Sequence, residues 1–336
     1  MFAYRSASDH PERGRPMRTR SGLVVAATIL AIAGPAAAQN PVPDANECDA
    51  GKDAWIFCED FQAGNLDQWE DADGNPESEV AILGDPGPFD VSGNTVAHLR
   101  VPEGRGGSDL LRDIGGPHDR LYARWYVYFE PGFDFSAPNH GSGLWGGDKW
   151  LIGSGAGDRP EGDDRFSATL EYSWRTGTPQ LYSYSRGMYM DCRNPEGACW
   201  GDMFPCTIDE GSSYCTQAQH RDQGPLPTFE SGRWYCVEIL VDAGTPSTDG
   251  SVRDAVLEFW IDGVSIGPWD DLWFRTTPDL GIETLRMNLF FHGDHSTAGV
   301  LMDNIVVSTE RIGCDFGGTV VSDQKSSFGA LKGRFR

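Results

Sequence analysis

Residues 121–129 read LYARWYVYF. In an extended chain successive side chains point to opposite faces, so Leu121, Ala123, Trp125, Val127 and Phe129 share one side while Tyr122, Arg124, Tyr126 and Tyr128 share the other. One side suits a hydrophobic core; the other carries aromatic rings with polar tips and a cation. Working outward, the same split recurs. In FSATLEYSWR, Ala168, Leu170, Tyr172 and Trp174 oppose Thr169, Glu171, Ser173 and Arg175. In RWYCVEILV, Tyr235, Val237, Ile239 and Val241 oppose Trp234, Cys236 and Glu238. In LEFWIDG, Leu257, Phe259 and Ile261 oppose Glu258 and Trp260, and in RMNLFFH, Met287, Leu289 and Phe291 oppose Arg286, Asn288, Phe290 and His292.

Further strands are expected at 54–61, 95–101, 180–186 and 300–308, and the Asp262-Gly263 step marks a tight hairpin. With 42 Gly and 21 Pro among 336 residues the chain is punctuated too often for long helices. About ten strands joined by turns describe an all-β, two-sheet antiparallel jelly-roll sandwich forming a single domain. A stretch from 187 to 232 has little alternation and reads as a long, disulfide-stapled loop of the kind that walls a cleft.

Residues 1–38 combine Arg18 and Arg20, an apolar run from residue 22 to 33 and Ala36-Ala37-Ala38, the pattern of a secretory signal peptide, with Met1 or Met17 as the initiator. The expected location is therefore secreted, periplasmic or extracellular. The whole chain carries a net charge of −23, and removing residues 1–38 takes away five Arg and two acids to leave −26. Such a charge argues against nucleic acid as a partner. No later run reaches the ~18 apolar residues of a membrane span. The eight cysteines all lie beyond residue 38 and in an exported chain read as disulfides. Cys192–Cys199, Cys206–Cys215 and Cys236–Cys314 are the expected pairs. Residues 319–336 are a basic tail expected to be flexible.

If the apolar sides face the core, the opposite side gathers Arg124, Tyr126, Tyr128, Glu171, Arg175, Tyr182, Tyr184, Arg186, Glu238, Glu258, Trp260, Asn288 and His292. Aromatic planes for sugar rings, with charged and amide groups for hydroxyls, make up a glycan groove. Abstraction of a proton beside a uronic acid carboxylate needs a group that neutralises the carboxylate, a base and an acid. Arg124 or Asn288 suits the first role; Tyr126, Tyr128, His140, Lys149 or His292 suits the others. His140 and Lys149 lie in NHGSGLWGGDKW, a Gly-rich segment expected to be a flap, with Trp145 and Trp150 as sugar platforms. Hydrolysis would instead need two carboxylates about 5–10 Å apart. Glu171, Glu238 and Glu258 would have to pair across strands. No nucleophile elbow of the G-x-S-x-G type appears with plausible partners, and no phosphate loop or nucleotide-binding pattern is present.

LYARWYVYF with EPGFDF, SGRWYCVEILV, LEFWIDG and MDNIVVSTERIG together resemble the concanavalin A-like jelly rolls related to polysaccharide lyases and to a fungal cellulose-induced secreted protein, over residues 54–314. The resemblance implies a concave sheet bearing a glycan groove, with a polysaccharide or oligosaccharide as partner, and a structural Ca2+. Its ligands would come from Glu59 or Asp60, Ser92 or Asn94, and Asp303, hard oxygen donors from separate segments. A separate stretch beginning at Asp71 imitates an EF-hand loop but fails at Pro76 and Ile82. The chain is thus expected to be a secreted carbohydrate-active protein, most concretely a polysaccharide lyase. Alternatives are a non-catalytic glycan-binding module and a cell-surface structural domain.

Overall fold

A computed structural model describes residues 45–72, 79–84, 94–102, 106–147, 157–189, 200–207 and 225–314. After a single 3-10 turn, η1 (Glu47–Ala50), these residues form strands only. In chain order they are β1 (Trp55–Glu59), β2 (Asp71–Ala72), β3 (Glu79–Gly84), β4 (Thr95–Arg100), β5 (Gly107–His118), β6 (Arg120–Phe129), β7 (Asn139–His140) and β8 (Ser142–Gly147). There follow β9 (Arg165–Tyr172), β10 (Pro179–Tyr184), β11 (Asp202–Phe204), β12 (Trp234–Asp242), β13 (Ala255–Ile261), β14 (Val264–Leu272), β15 (Ile282–Phe291) and β16 (Val300–Ser308).

Two antiparallel sheets result. The first runs β14-β13-β12-β6-β16-β4-β3 with β1 added on β16, and the second runs β11-β10-β9-β8-β15-β5-β2 with β7 added on β15. The jelly-roll sandwich expected from strand periodicity is the observed fold. Trp125, Val127, Val237, Ile239, Phe259 and Val307 from the first sheet meet Phe166, Leu170, Leu181, Met287 and Leu289 from the second in one core. Burying each such side chain contributes roughly 1.5–3 kcal/mol. Asp262 and Gly263 both take positive φ, 50° and 79°, as the two-residue hairpin between β13 and β14 requires.

Two expectations are corrected. Trp174, placed with the core residues of β9, lies past the strand's end in the hairpin turn and is 45% exposed, because alternation stops at Tyr172. The Gly-rich segment expected as a flap is strand: β7 and β8 sit in the middle of the second sheet. A Cβ on Gly141 or Gly143 would run into the backbone carbonyl oxygens of Leu170 and Ala168, so the glycines serve a close approach of β8 to β9 rather than mobility.

Cys236 and Cys314 are joined, as are Cys48 and Cys58. The expected partners of the remaining cysteines, the residues 1–38, Ser92, Lys149, Trp150 and the tail fall outside the described residues, although Cys206 is itself disulfide-bonded. Among the described residues no helix is long and apolar enough to cross a membrane.

Candidate active site

A sandwich has two outer faces, and the residues grouped above by alternation divide between them. Arg124, Tyr126 and Tyr128 on β6, Glu238 on β12, and Glu258 and Trp260 on β13 belong to the first sheet. Their face is closed by both ends of the described chain. The fully buried Arg124 guanidinium pairs with Glu47 of η1, Nη1 lying 2.8 Å from Oε2, and donates to the Asn304 carbonyl at 3.0 Å. Tyr126, Tyr128, Trp234, Cys236, Val96 and Leu301 form a second small apolar cluster beneath these segments. Glu238 accepts the Ile312 and Gly313 amides at 2.7 and 3.1 Å, and Arg311 covers Trp260 at 4.5 Å. Arg124, Tyr126, Tyr128, Glu238 and Trp260 therefore brace the chain ends and share no groove with Asn288 or His292. Alternation separates inside from outside, but it does not say to which sheet a strand belongs. For the same reason Glu171 cannot pair with Glu238 or Glu258 as a hydrolytic acid and base.

The outer face of the second sheet brings together the rest. Glu171 is on β9, Tyr182 and Tyr184 on β10, His140 on β7, Asn288 on β15, and His292 immediately after β15. Glu171 Oε1 lies 2.6 Å from His140 Nδ1, and His140 Nε2 lies 2.8 Å from His292 Nε2. The two imidazoles meet edge to face with centroids 4.6 Å apart, and the Tyr182 ring lies 5.1 Å from His140. Tyr182 and Tyr184 hydroxyls are 3.1 Å apart. Each also accepts a backbone amide, Tyr182 from Gly201 at 2.7 Å and Tyr184 from Gly157 at 2.9 Å. Two hydroxyl oxygens that already hold amide protons and share one proton between them leave one O–H free to donate outward.

Burial sets the electrostatics. It pushes the Glu171 carboxyl up, against the pull of the His140 charge and hydrogen bond. It pushes the Tyr182 phenol well above its ordinary value, with the neighbouring Tyr184 and Glu171 adding to the rise, and raises Tyr184 as well. His292 is lowered, first by burial and then by the His140 charge, and so is held neutral at neutral pH. Asn288 spends its amide on the carbonyls of His140 and Gly141, at 3.2 and 3.5 Å, so it supports β7 from below. Under it and Glu171 is a cavity of about 50 Å³ between the sheets, also lined by Asn139, Trp125 and Met302.

Arg175 stacks on Trp174 in the β9–β10 turn at 4.7 Å, and Arg186, past β10, reaches Glu161 at 3.1 Å and Trp273. One residue that alternation placed on the polar side, but that carried no motif to single it out, also faces this surface: Arg286 of β15, paired with Asp109 of β5.

The residues expected to bind calcium converge only in part. Asn94 donates Nδ2 to Asp303 Oδ2 at 2.6 Å and accepts Gln62 Nε2 at 2.5 Å, while Asp60 accepts the Cys48 and Gln62 amides. Burial raises Asp303 well above the carboxylate range, and the charges of Asp60 and Glu47 raise it further. Glu59 turns the other way, to the Phe61 amide at 2.8 Å, because it alternates with Asp60. Among the described residues no three His, Cys, Asp or Glu side chains gather as a metal site. A cation here would rest on Asp60, Asp303 and the Asn94 oxygen.

Among solved structures, the chain is similar to the alginate lyase vAL-1 from Chlorella virus, at 16% identity and a TM-score of 0.53 over 76% of this chain and 100% of that one. It is similar to the marine PL-14 alginate lyase from Aplysia kurodai, at 14% identity and a TM-score of 0.51 over 76% and 99%. A third likeness is to the endo-beta-1,4-glucuronan lyase from the fungus Trichoderma reesei, at 13% identity and a TM-score of 0.49 over 76% and 96%. At such identities the first two likenesses speak to the fold alone. No curated protein matches. A family model, Polysaccharide lyase 14, matches residues 111–300, a span from β5 to β16 that contains His140, Glu171, Tyr182, Tyr184, Asn288 and His292. On that match, the chain belongs to the Polysaccharide lyase 14 family.

Proposed function

We propose that the protein is a secreted lyase that cleaves a uronic-acid-containing polysaccharide by β-elimination on the outer face of the second sheet. The observation that carries this reading is the hydrogen-bonded chain Glu171–His140–His292 beside the paired hydroxyls of Tyr182 and Tyr184.

In such a cleavage the proton on C5 leaves, the C5 electrons form the C4=C5 double bond, and the C4–O bond breaks with its electrons going to the leaving oxygen. His292, held neutral, takes the C5 proton. His140, whose Nδ1 is anchored by Glu171, turns its Nε2–H to the sugar carboxylate and spreads the charge that develops there. A tyrosine hydroxyl of the pair, kept protonated by burial, delivers a proton to the leaving oxygen. The disulfides suit an oxidising compartment outside the cytoplasm. A Ca2+ ion held by Asp60, Asn94 and Asp303 would tie β1 to β16 on the other sheet and take no part in the chemistry.

Incubation with alginate, glucuronan and pectate should raise ultraviolet absorbance on at least one of them as unsaturated ends form. His292→Ala should slow that rise roughly 100-fold or more, the size of a lost general base, with an unchanged melting temperature. A flat trace on every uronan would overturn the reading.

A further inference from the structure

The outer face of the second sheet carries a second cationic element, away from the histidines. Strand register places it: Tyr182 opposes Thr169, Thr169 opposes Gly143, and Gly143 opposes Arg286. Three strand spacings put Arg286 about 14 Å from Tyr182 across the sheet. Along β15 it is four residues from Phe290, the partner of His140, or about 13 Å. It is thus more than one sugar away from the reacting centre, on the same face. Between the two lie Thr169 and Gly143, the smallest residues of the row, which leave the floor low enough for a chain to pass.

The side chain is arranged rather than loose. Asp109 of β5 holds it through one oxygen, Oδ2, which accepts both Nε at 2.8 Å and Nη2. The Trp145 ring of β8 lies 5.9 Å from the guanidinium carbon. Of the five guanidinium N–H groups, Asp109 takes two, and Nη1 has no partner among the described residues. The Trp145 indole N–H also lacks one among those residues. With only 18% of its side chain exposed, Arg286 is fixed in direction while still reachable. A preorganised fork with free donors beside an aromatic plane suits a sugar that bears a carboxylate.

We propose that Arg286, oriented by Asp109 beside the Trp145 ring, is a specificity-determining subsite for the carboxylate of a uronate residue more than one sugar removed from the bond that breaks. This deepens the lyase reading and rests on it for the identity of the polymer. It also answers a difficulty of charge. A protein with net charge −23 repels a polyanion at long range, and a fixed cation at a distance from the chemistry gives the chain a local hold.

The test uses uronate oligosaccharides of increasing length, with neutral oligosaccharides of equal length as controls. Binding is measured by calorimetry in a His292→Ala background, and cleavage of the polymer is followed in the otherwise unaltered protein. Short uronates should bind alike with and without Arg286. Longer ones should gain affinity, and Arg286→Gln should erase the gain, a loss of roughly tenfold, the size of one charge-assisted hydrogen bond. Arg286→Lys should restore part of it, and Asp109→Asn, which loosens the hold on the fork, should weaken it. On the polymer Arg286→Gln should raise KM and leave kcat in place. A length-dependent gain that survives Arg286→Gln would overturn the subsite while leaving the lyase intact. An Arg286-dependent gain without any unsaturated product would keep the subsite and overturn the lyase. Equal gains on the neutral series would overturn the carboxylate assignment.

Discussion

In the proposed β-elimination His292 and the tyrosine pair make opposite demands on pH, and their environments meet both. His292 is lowered from the ordinary imidazole value of 6.5 by burial and by His140, so the form that accepts a proton persists into weakly acidic solution. Tyr182 and Tyr184 are raised above 10 by burial, so the form that donates persists into alkaline solution. The plot of kcat/KM against pH should therefore fall on the acid side with a midpoint below 6.5 and show no alkaline limb until beyond about 10. An acid midpoint above 6.5 would mean that a different group is the base. At this scale His140, Glu171, Tyr182 and His292 were readable from the sequence as polar residues on strands that bury their other side. Arg124 was readable in the same way and landed elsewhere, since its partners Glu47 and the Asn304 carbonyl come from segments 77 and 180 residues away. Nothing local in a chain reports a partner at that distance.

Among elements, β8 is the one that sequence reading treated least well. Glycine normally signals freedom, and five of the residues from 141 to 147 are Gly or Ser. Here each glycine answers to the strand beside it. Gly143→Ala would press its methyl against the Ala168 carbonyl and the Thr169 Cα, both backbone, with no rotamer to relieve it. The expected cost is on the order of 1–3 kcal/mol. A drop in melting temperature of several degrees should accompany it, together with weaker binding of long uronates, because β8 separates Thr169 from Arg286. A melt identical to that of the parent would show that β8 and β9 can part easily. Parity within β6, β9, β12 and β15 was legible because period two is local. Membership of one sheet or the other was not, because β6 finds its neighbours β12 and β16 across long crossovers.

For the whole molecule, four buried carboxyls decide how stability follows pH. Glu59, Glu171, Glu238 and Asp303 are each raised, chiefly by burial. The folded chain then keeps protons that the unfolded chain has released, so the stability these groups add is full below the unfolded carboxyl values of about 4 and is lost as pH rises through the folded ones. Melting temperatures should decline from about pH 5 to neutrality at constant salt. If calcium is held by Asp60, Asn94 and Asp303, it favours the ionised Asp303, so added calcium should flatten that decline and a chelator should restore it. Melts that ignore both calcium and chelator would remove the ion from the account. The same architecture has a mechanical corollary. Glu47 of η1 sits on Arg124 and residues 312–313 sit on Glu238, so both ends of the described chain are riveted to the first sheet, opposite the sheet that carries the candidate site. A surface that held the protein at Glu47 or at residues 312–313 would hold it by its back, leaving the outer face of the second sheet open.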